Sequence, residues 1–198
     1  LTNDEKWKNE AIKRTEVLDT IQYWEGNHDV GFIMNCSYGN GYRFGNKKEY
    51  KDVLVQTANS LLTRFNQKAK VLKSWERFRS WNGKLWDYPV IIDNMMNLEL
   101  LFEATKLTGD AKFQNIAVEH AKTTMKNHYR KDFSSYHVVN YDTVTGEALS
   151  KKSAQGYADE SSWARGQAWG LYGYTVCYRY TKNKLFLDFA ENIANYIL

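Results

Sequence analysis

Proline occurs once in the 198 residues, at position 89, and no stretch alternates apolar and polar residues in the short regular runs of a sheet protein. A sandwich or barrel of strands is therefore not expected. Cysteine occurs twice, as Cys36 and Cys177, both inside apolar helical patterns and without metal-ligand spacing, which predicts buried free thiols. The four histidines include no pair three or four apart on one helix, so neither a metal nor another cofactor is expected. Although 27 Lys and Arg against 23 acids give a net charge of +4, the cations never gather into a stripe, and no nucleic-acid partner is expected. No run is apolar enough to span a membrane, and no membrane partner is expected. The chain opens with LTNDEKW, without methionine, and closes on FAENIANYIL inside a helical pattern. Both ends read as cut, so the lack of a leader does not argue for a cytoplasmic protein.

Aromatic residues are abundant, at 15% with fourteen Tyr and seven Trp. Rings with polar tips line grooves for sugars and other amphipathic ligands, although for any one ring the core is the commoner place. Helical periodicity runs over residues 4–20, 29–44, 48–65, 90–107, 111–126, 163–180 and 184–197, with short connections that make the flanking helices antiparallel. The expected fold class is all-alpha.

An internal repeat organises these helices. Asp29 precedes Gly45 by sixteen residues, Asp93 precedes Gly109 by sixteen, and Gly166 precedes Lys182 by sixteen. The helix after each connection carries a ring and a small residue eight apart: Tyr50 with Ala58, Phe113 with Ala121, Phe186 with Ala194; Trp7 with Thr15 reads as the outer helix of an earlier copy. The first helix of each pair is the more apolar, which suggests inner and outer helices of a closed alpha/alpha toroid. The long joins at 66–89 and 127–162 would then form its functional rim, with an open helical-repeat scaffold as the rival. Residues 1–198 are expected to form a single catalytic toroid domain.

Asp29, in NHDVGF, and Asp93, in PVIIDNMMN, fall at equivalent first-turn positions of two inner helices. Each could simply cap its helix. Equivalent ends of a toroid's inner helices share one mouth, however, so the pair also suits acid/base chemistry on a sugar. Ile91, Ile92 and Met95 should desolvate Asp93, and the like charge of Asp29 should help keep one acid protonated near neutral pH. His28 and His137 lie in loops around these acids, while His120 and His128 sit on or beyond an outer helix. SWERFRSWNGKLW brings Trp75, Trp81 and Trp86 to the approach to Asp93, as a stacking platform or, for Trp81 and Trp86, as core. QGYADESSWARGQAWG supplies Gln155, Arg165, Gln167 and Trp169. Arg165 stands in the first turn of a helix, where the dipole disfavours a cation, so it needs an anion: Asp159 or Glu160, or a substrate carboxylate.

NHDVGF, CSYGNGYR, PVIIDNMMNLELLF, SSYHVVNYD and QGYADESSWARGQAWGLYGY, in this order along nearly the whole chain, resemble the unsaturated glucuronyl hydrolases of glycoside hydrolase family 88. The resemblance implies an (alpha/alpha)6 barrel of six hairpins, of which this chain covers roughly the first half to two thirds. It implies action on lyase-generated oligosaccharides that end in a 4,5-unsaturated uronic acid, by hydration of the vinyl ether. By the family pattern Asp93 is the acid/base and Asp29 the second essential acid, with His28, Trp75, His137, Gln155, Arg165 and Trp169 at substrate-binding positions. The partner expected is an unsaturated uronic-acid oligosaccharide of glycosaminoglycan type, and the compartment the periplasm or cytoplasm of a bacterium. The rivals are an unsaturated rhamnogalacturonyl hydrolase, another acidic-glycan hydrolase or lyase on the same barrel, and a non-catalytic glycan-binding module. Room for about three and a half hairpins leaves the ring incomplete.

Overall fold

A computed structural model describes residues 4–80 and 82–198; Trp81, one of the three rings expected near Asp93, lies outside them. Helix α1 (Glu5–Glu16) starts where the Asp4 carboxylate accepts the Lys6 N–H at 2.8 Å. It buries none of its residues and leaves Trp7 exposed, so it does not seat its ring as the later outer helices do. The reason is compositional, since EKWKNEAIKRTE offers too little apolar surface to dock.

Expected segment 29–44 is one helical course in three parts, α2 (Val30–Met34), a π turn (Asn35–Gly39) and α3 (Asn40–Phe44). Helices α4 (Tyr50–Leu62), α5 (Leu98–Thr108), α6 (Lys112–Asn127), α7 (Ala164–Thr181) and α8 (Lys184–Ile197) complete the set. In the inner layer α5 packs against both α2 and α7; in the outer layer α4 packs on α5 and α6, and α8 on α7. Of the recurring ring and small positions, Tyr50, Ala58, Phe113, Ala121 and Phe186 are buried in one apolar core between the layers, while Ala194 is only half-buried. The repeat also marks the helix ends. Gly109 after α5 (φ 77°) and Lys182 after α7 (φ 57°) both adopt the left-handed conformation that stops a helix, while in the first copy Asn46 (φ 56°) takes it one residue after Gly45.

The all-alpha expectation needs correction: the fold is mostly helical but carries strands in both long joins. Strands β1 (Phe65–Asn66) and β2 (Val71–Leu72) pair, as do β3 (Phe78–Arg79) and β4 (Leu85–Trp86). Strands β5 (Pro89–Ile91), β6 (Val138–Tyr141) and β7 (Ala148–Lys152) form an antiparallel sheet that ties the two joins together. The helix expected from residue 90 begins only at Leu98, after a 3-10 turn over Ile92–Asn97. Val90 and Ile91 are β-branched and follow a proline, and a short apolar run carries no periodicity to tell strand from helix.

Every residue from Pro89 to Leu98 is buried, including Asp93, Asn94 and Asn97. The turn can lie this deep because α7 presents Gly166, Gly170 and Gly173 to its surroundings. A Cβ at Gly166 would stand 2.7 Å from Ile92 Cγ2, and one at Gly173 would stand 2.5 Å from Met95 Cβ. The thiol expectation holds for Cys177 alone, which is buried and held protonated by that burial; Cys36 is exposed. Among the described residues no helix is long and apolar enough to cross a membrane.

Candidate active site

The sheet sets the first distance in the site. Ile91 pairs with Val138, and Ile92 N–H donates to the His137 carbonyl at 2.9 Å, so strand register carries His137 alongside the residue that follows Ile92. His137 Nε2 lies 3.7 Å from Asp93 Oδ2. On its other side, His137 Nδ1 accepts N–H groups from Ala154 (3.0 Å) and Gln155 (3.2 Å). Two donors at Nδ1 leave the ring proton on Nε2, the nitrogen that lies 3.7 Å from Asp93 Oδ2 without hydrogen bonding to it. Burial and the Arg165 charge lower the His137 pKa to about 4, so the ring is neutral at pH 7.

Asp93 does not cap its turn; no side-chain cap bond is made there, and Oδ2 is buried without a hydrogen-bond partner. Burial pushes its pKa up to about 6, opposed by its own backbone N–H and by Arg165 and reinforced by the charge of Asp29. The carboxyl is thus half protonated at about pH 6. The upward direction and its two causes, burial and the like charge of Asp29, are those expected from the sequence.

Asp29 also makes no side-chain cap bond. Its Oδ1 stands 3.2 Å from His28 Nε2, and its side chain is 42% exposed while that of His28 is 1% exposed. One carboxyl is therefore open to solvent and the other closed, and each has a buried histidine beside it. Burial lowers the His28 pKa to about 4 against the opposing pull of Asp29.

Arg165 is exposed and its guanidinium donates to Gln155 Oε1 at 2.7 Å. The cation lies 4.5 Å from the Trp163 ring centroid. The two acids named as its alternative partners are occupied elsewhere, Asp159 with Lys152 at 2.5 Å and Glu160 with Arg130 at 3.5 Å. The Arg165 charge reaches Asp93, whose ionised form it favours. Trp169 meets Phe32 edge to face at 5.2 Å, joining α7 to α2, and Trp75 meets His137 at 6.2 Å. Trp75 is half-buried beside Phe78, whereas Trp86 is core, as its alternative reading had it. Gln167 is buried and structural, accepting from Ser135 N–H at 2.9 Å and donating to the Phe133 carbonyl at 2.7 Å.

No family model matches the chain. An unsaturated glucuronyl hydrolase of Formosa agariphila is 46% identical over the whole chain, which covers 49% of that protein. The crystal structure of an unsaturated glucuronyl hydrolase specific for heparin superposes with a TM-score of 0.93 and 49% identity over the whole chain and 52% of the other. The chain is homologous to the unsaturated glucuronyl hydrolases. An unsaturated chondroitin disaccharide hydrolase of Streptococcus pneumoniae is 35% identical over 87% of the chain and 42% of its own length. The chain thus spans about half the length of the curated relatives it matches.

Sequence reading missed the groups that hold the named residues in place. Trp163 stands 4.6 Å from His137 and under Arg165, so one ring fixes both. Asn94 and Asn97, part of the same DNMMN stretch as Asp93, are fully buried, and Asn94 donates to the Leu72 carbonyl at 2.7 Å. Their signal was available: two asparagines three apart in an apolar run require partners when buried. His120 and His128 lie apart from the acids' immediate contacts, and His120 Nδ1 accepts Leu72 N–H at 3.0 Å. No group of three or more His, Cys, Asp or Glu among the described residues is placed to hold a metal.

Proposed function

We propose that the chain is part of a glycoside hydrolase of family 88 that removes the 4,5-unsaturated uronic acid from the non-reducing end of glycosaminoglycan-derived oligosaccharides. The observation that carries this reading is the buried Asp93, with a carboxyl pKa of about 6, flanked by a neutral His137 and within the field of an exposed arginine. The barrel would be a six-hairpin (alpha/alpha)6 ring, with the remaining hairpins outside these 198 residues.

In this mechanism Asp93 gives its proton to C4 of the double bond while water adds at C5, and the ionised Asp93 takes the proton from that water. The resulting C5 hemiketal opens: the ring oxygen stays on C1, C5 becomes a ketone, and the C1 hemiacetal expels the neighbouring sugar. Positive charge develops at C5 and the ring oxygen in the transition state, where the adjacent Asp29 carboxylate would favour it. Arg165, held by Gln155 and Trp163 and without an acidic partner among the described residues, suits the uronate carboxylate. Trp75 and Trp169 offer ring faces and edges to the sugar.

Replacing Arg165 with Ala should raise KM for an unsaturated disaccharide by about 10- to 100-fold, the worth of a charge-assisted pair, with a smaller change in kcat. Steady-state kinetics on the intact protein check this; an unchanged KM would remove Arg165 from the carboxylate site. Because Asp93 must enter the reaction protonated, kcat/KM should fall tenfold per pH unit above a limb near 6. A pH profile flat from 5 to 8 (about the range in which a free carboxyl is fully ionised) would separate Asp93 from the proton-transfer step.

A further inference from the structure

The asparagine pair in the turn does more than satisfy itself. Asn97 Oδ1 accepts the Phe32 N–H at 2.8 Å, which fixes the amide so that Nδ2 is the donor. One Nδ2 proton goes to Asn94 Oδ1 at 3.1 Å; the other faces His28 Nδ1, also at 3.1 Å. An amide nitrogen only donates, so towards Asn97 His28 Nδ1 accepts and the ring's single proton is placed on Nε2, although the neighbouring Asn94 side chain favours a protonated ring. That nitrogen is the one 3.2 Å from Asp29 Oδ1.

From this relay we infer that Asn97 is a positioning residue for Asp29, setting the tautomer of His28 so that the proton sits on Nε2, the nitrogen that stands 3.2 Å from the exposed carboxylate without an aligned hydrogen bond to it. The inference deepens the proposed function, on which its kinetic part rests. All three intermediaries, His28, Asn94 and Asn97, are fully buried, so water does not compete for these bonds. The approach of Asn97 to α2 depends on Gly31, where a Cβ would stand 2.8 Å from both Asn97 Cβ and Oδ1. The same turn thus carries Asp93 at its start and aligns Asp29 from its end, although the two acids are 64 residues apart. His137 receives its tautomer from backbone N–H groups, so each acid has a histidine with Nε2–H beside it, fixed by different means.

Nitrogen NMR of histidine rings in the intact wild-type protein at pH 7 should report His28 as the Nε2–H tautomer; an Nδ1–H ring overturns the inference without any variant. In Asn97→Asp, an isostere that still accepts from Phe32, the new carboxylate faces Nδ1 and should draw a proton there, giving Nδ1–H or imidazolium. On unsaturated disaccharides this variant should lose at least about tenfold in kcat with KM within about threefold, as expected when a proton is put on the wrong nitrogen of an orienting histidine. Asn97→Gly with His28 still Nε2–H, or Asn97→Asp with switched tautomer and unaltered kcat, overturns the positioning role. Failure of the wild-type protein to turn over any unsaturated uronide removes the functional reading instead, and leaves the tautomer result to stand on its spectrum.

Discussion

Asp93→Asn in the intact protein should lower kcat on an unsaturated glucuronyl disaccharide by about 10²- to 10⁴-fold while KM stays within about tenfold, because proton transfer is lost in the transition state and little contact is lost in the ground state. The same change should stabilise the fold at neutral pH. The folded pKa of about 6 exceeds the usual 3.8, so the native state binds this proton more tightly than the unfolded chain does. Stability associated with Asp93 is therefore full below about pH 4, declines as pH rises towards 6 and stays reduced above it. The deficit at pH 7 is about 3 kcal/mol at most, and an uncharged amide does not incur it. Urea unfolding at both pH values checks the sign: the variant should gain on wild type at pH 7 and show no such gain at pH 4. Near-normal turnover, or equal stability differences at the two pH values, would place the carboxyl outside the chemistry or outside the buried pocket.

Gly173→Ala should reach the same acid from behind. A methyl at this position would lie 2.5 Å from Met95 Cβ and 3.0 Å from the Met95 carbonyl oxygen, and neither can withdraw without moving the 3-10 turn that holds Asp93. Overpacking of this kind costs about 1–3 kcal/mol. A shift of the turn by even a fraction of an ångström also alters the 3.7 Å approach of His137 to Asp93, so kcat should fall about tenfold or more in protein that is still folded. Thermal unfolding and kinetics on the same sample test both parts. Retention of wild-type Tm and kcat would mean that the close packing of α7 on the turn is not what seats the acid.

Much of this arrangement was legible in the sequence, for identifiable reasons. The repeat marked the left-handed stops at Gly109 and Lys182, because caps are local properties, but it put both acids in first turns, whereas Asp29 directly precedes α2 and Asp93 lies in a 3-10 turn five residues before α5. Arg165 was noticed because a cation at a helix start conflicts with the dipole, but the choice between Asp159, Glu160 and a substrate carboxylate stayed open until the fold showed both acids engaged by Lys152 and Arg130. The strand at Pro89–Ile91 was not legible, since its partner Val138–Tyr141 lies about fifty residues away and three apolar residues have no measurable period. The tautomers of His28 and His137 were equally out of reach. They depend on Asn97 and on the Ala154 and Gln155 amides, contacts that only the folded chain brings together.

Real-time proton NMR of the intact protein acting on an unsaturated glucuronyl disaccharide tests the central claim most directly, because hydration and direct glycoside cleavage differ in which bond changes first. The account predicts that the C4 vinyl signal disappears together with release of the neighbouring sugar, with no free unsaturated uronic acid formed on the way, and that Asp93→Asn leaves both signals unchanged. Accumulation of a free uronic acid that still carries the C4 vinyl proton would contradict it.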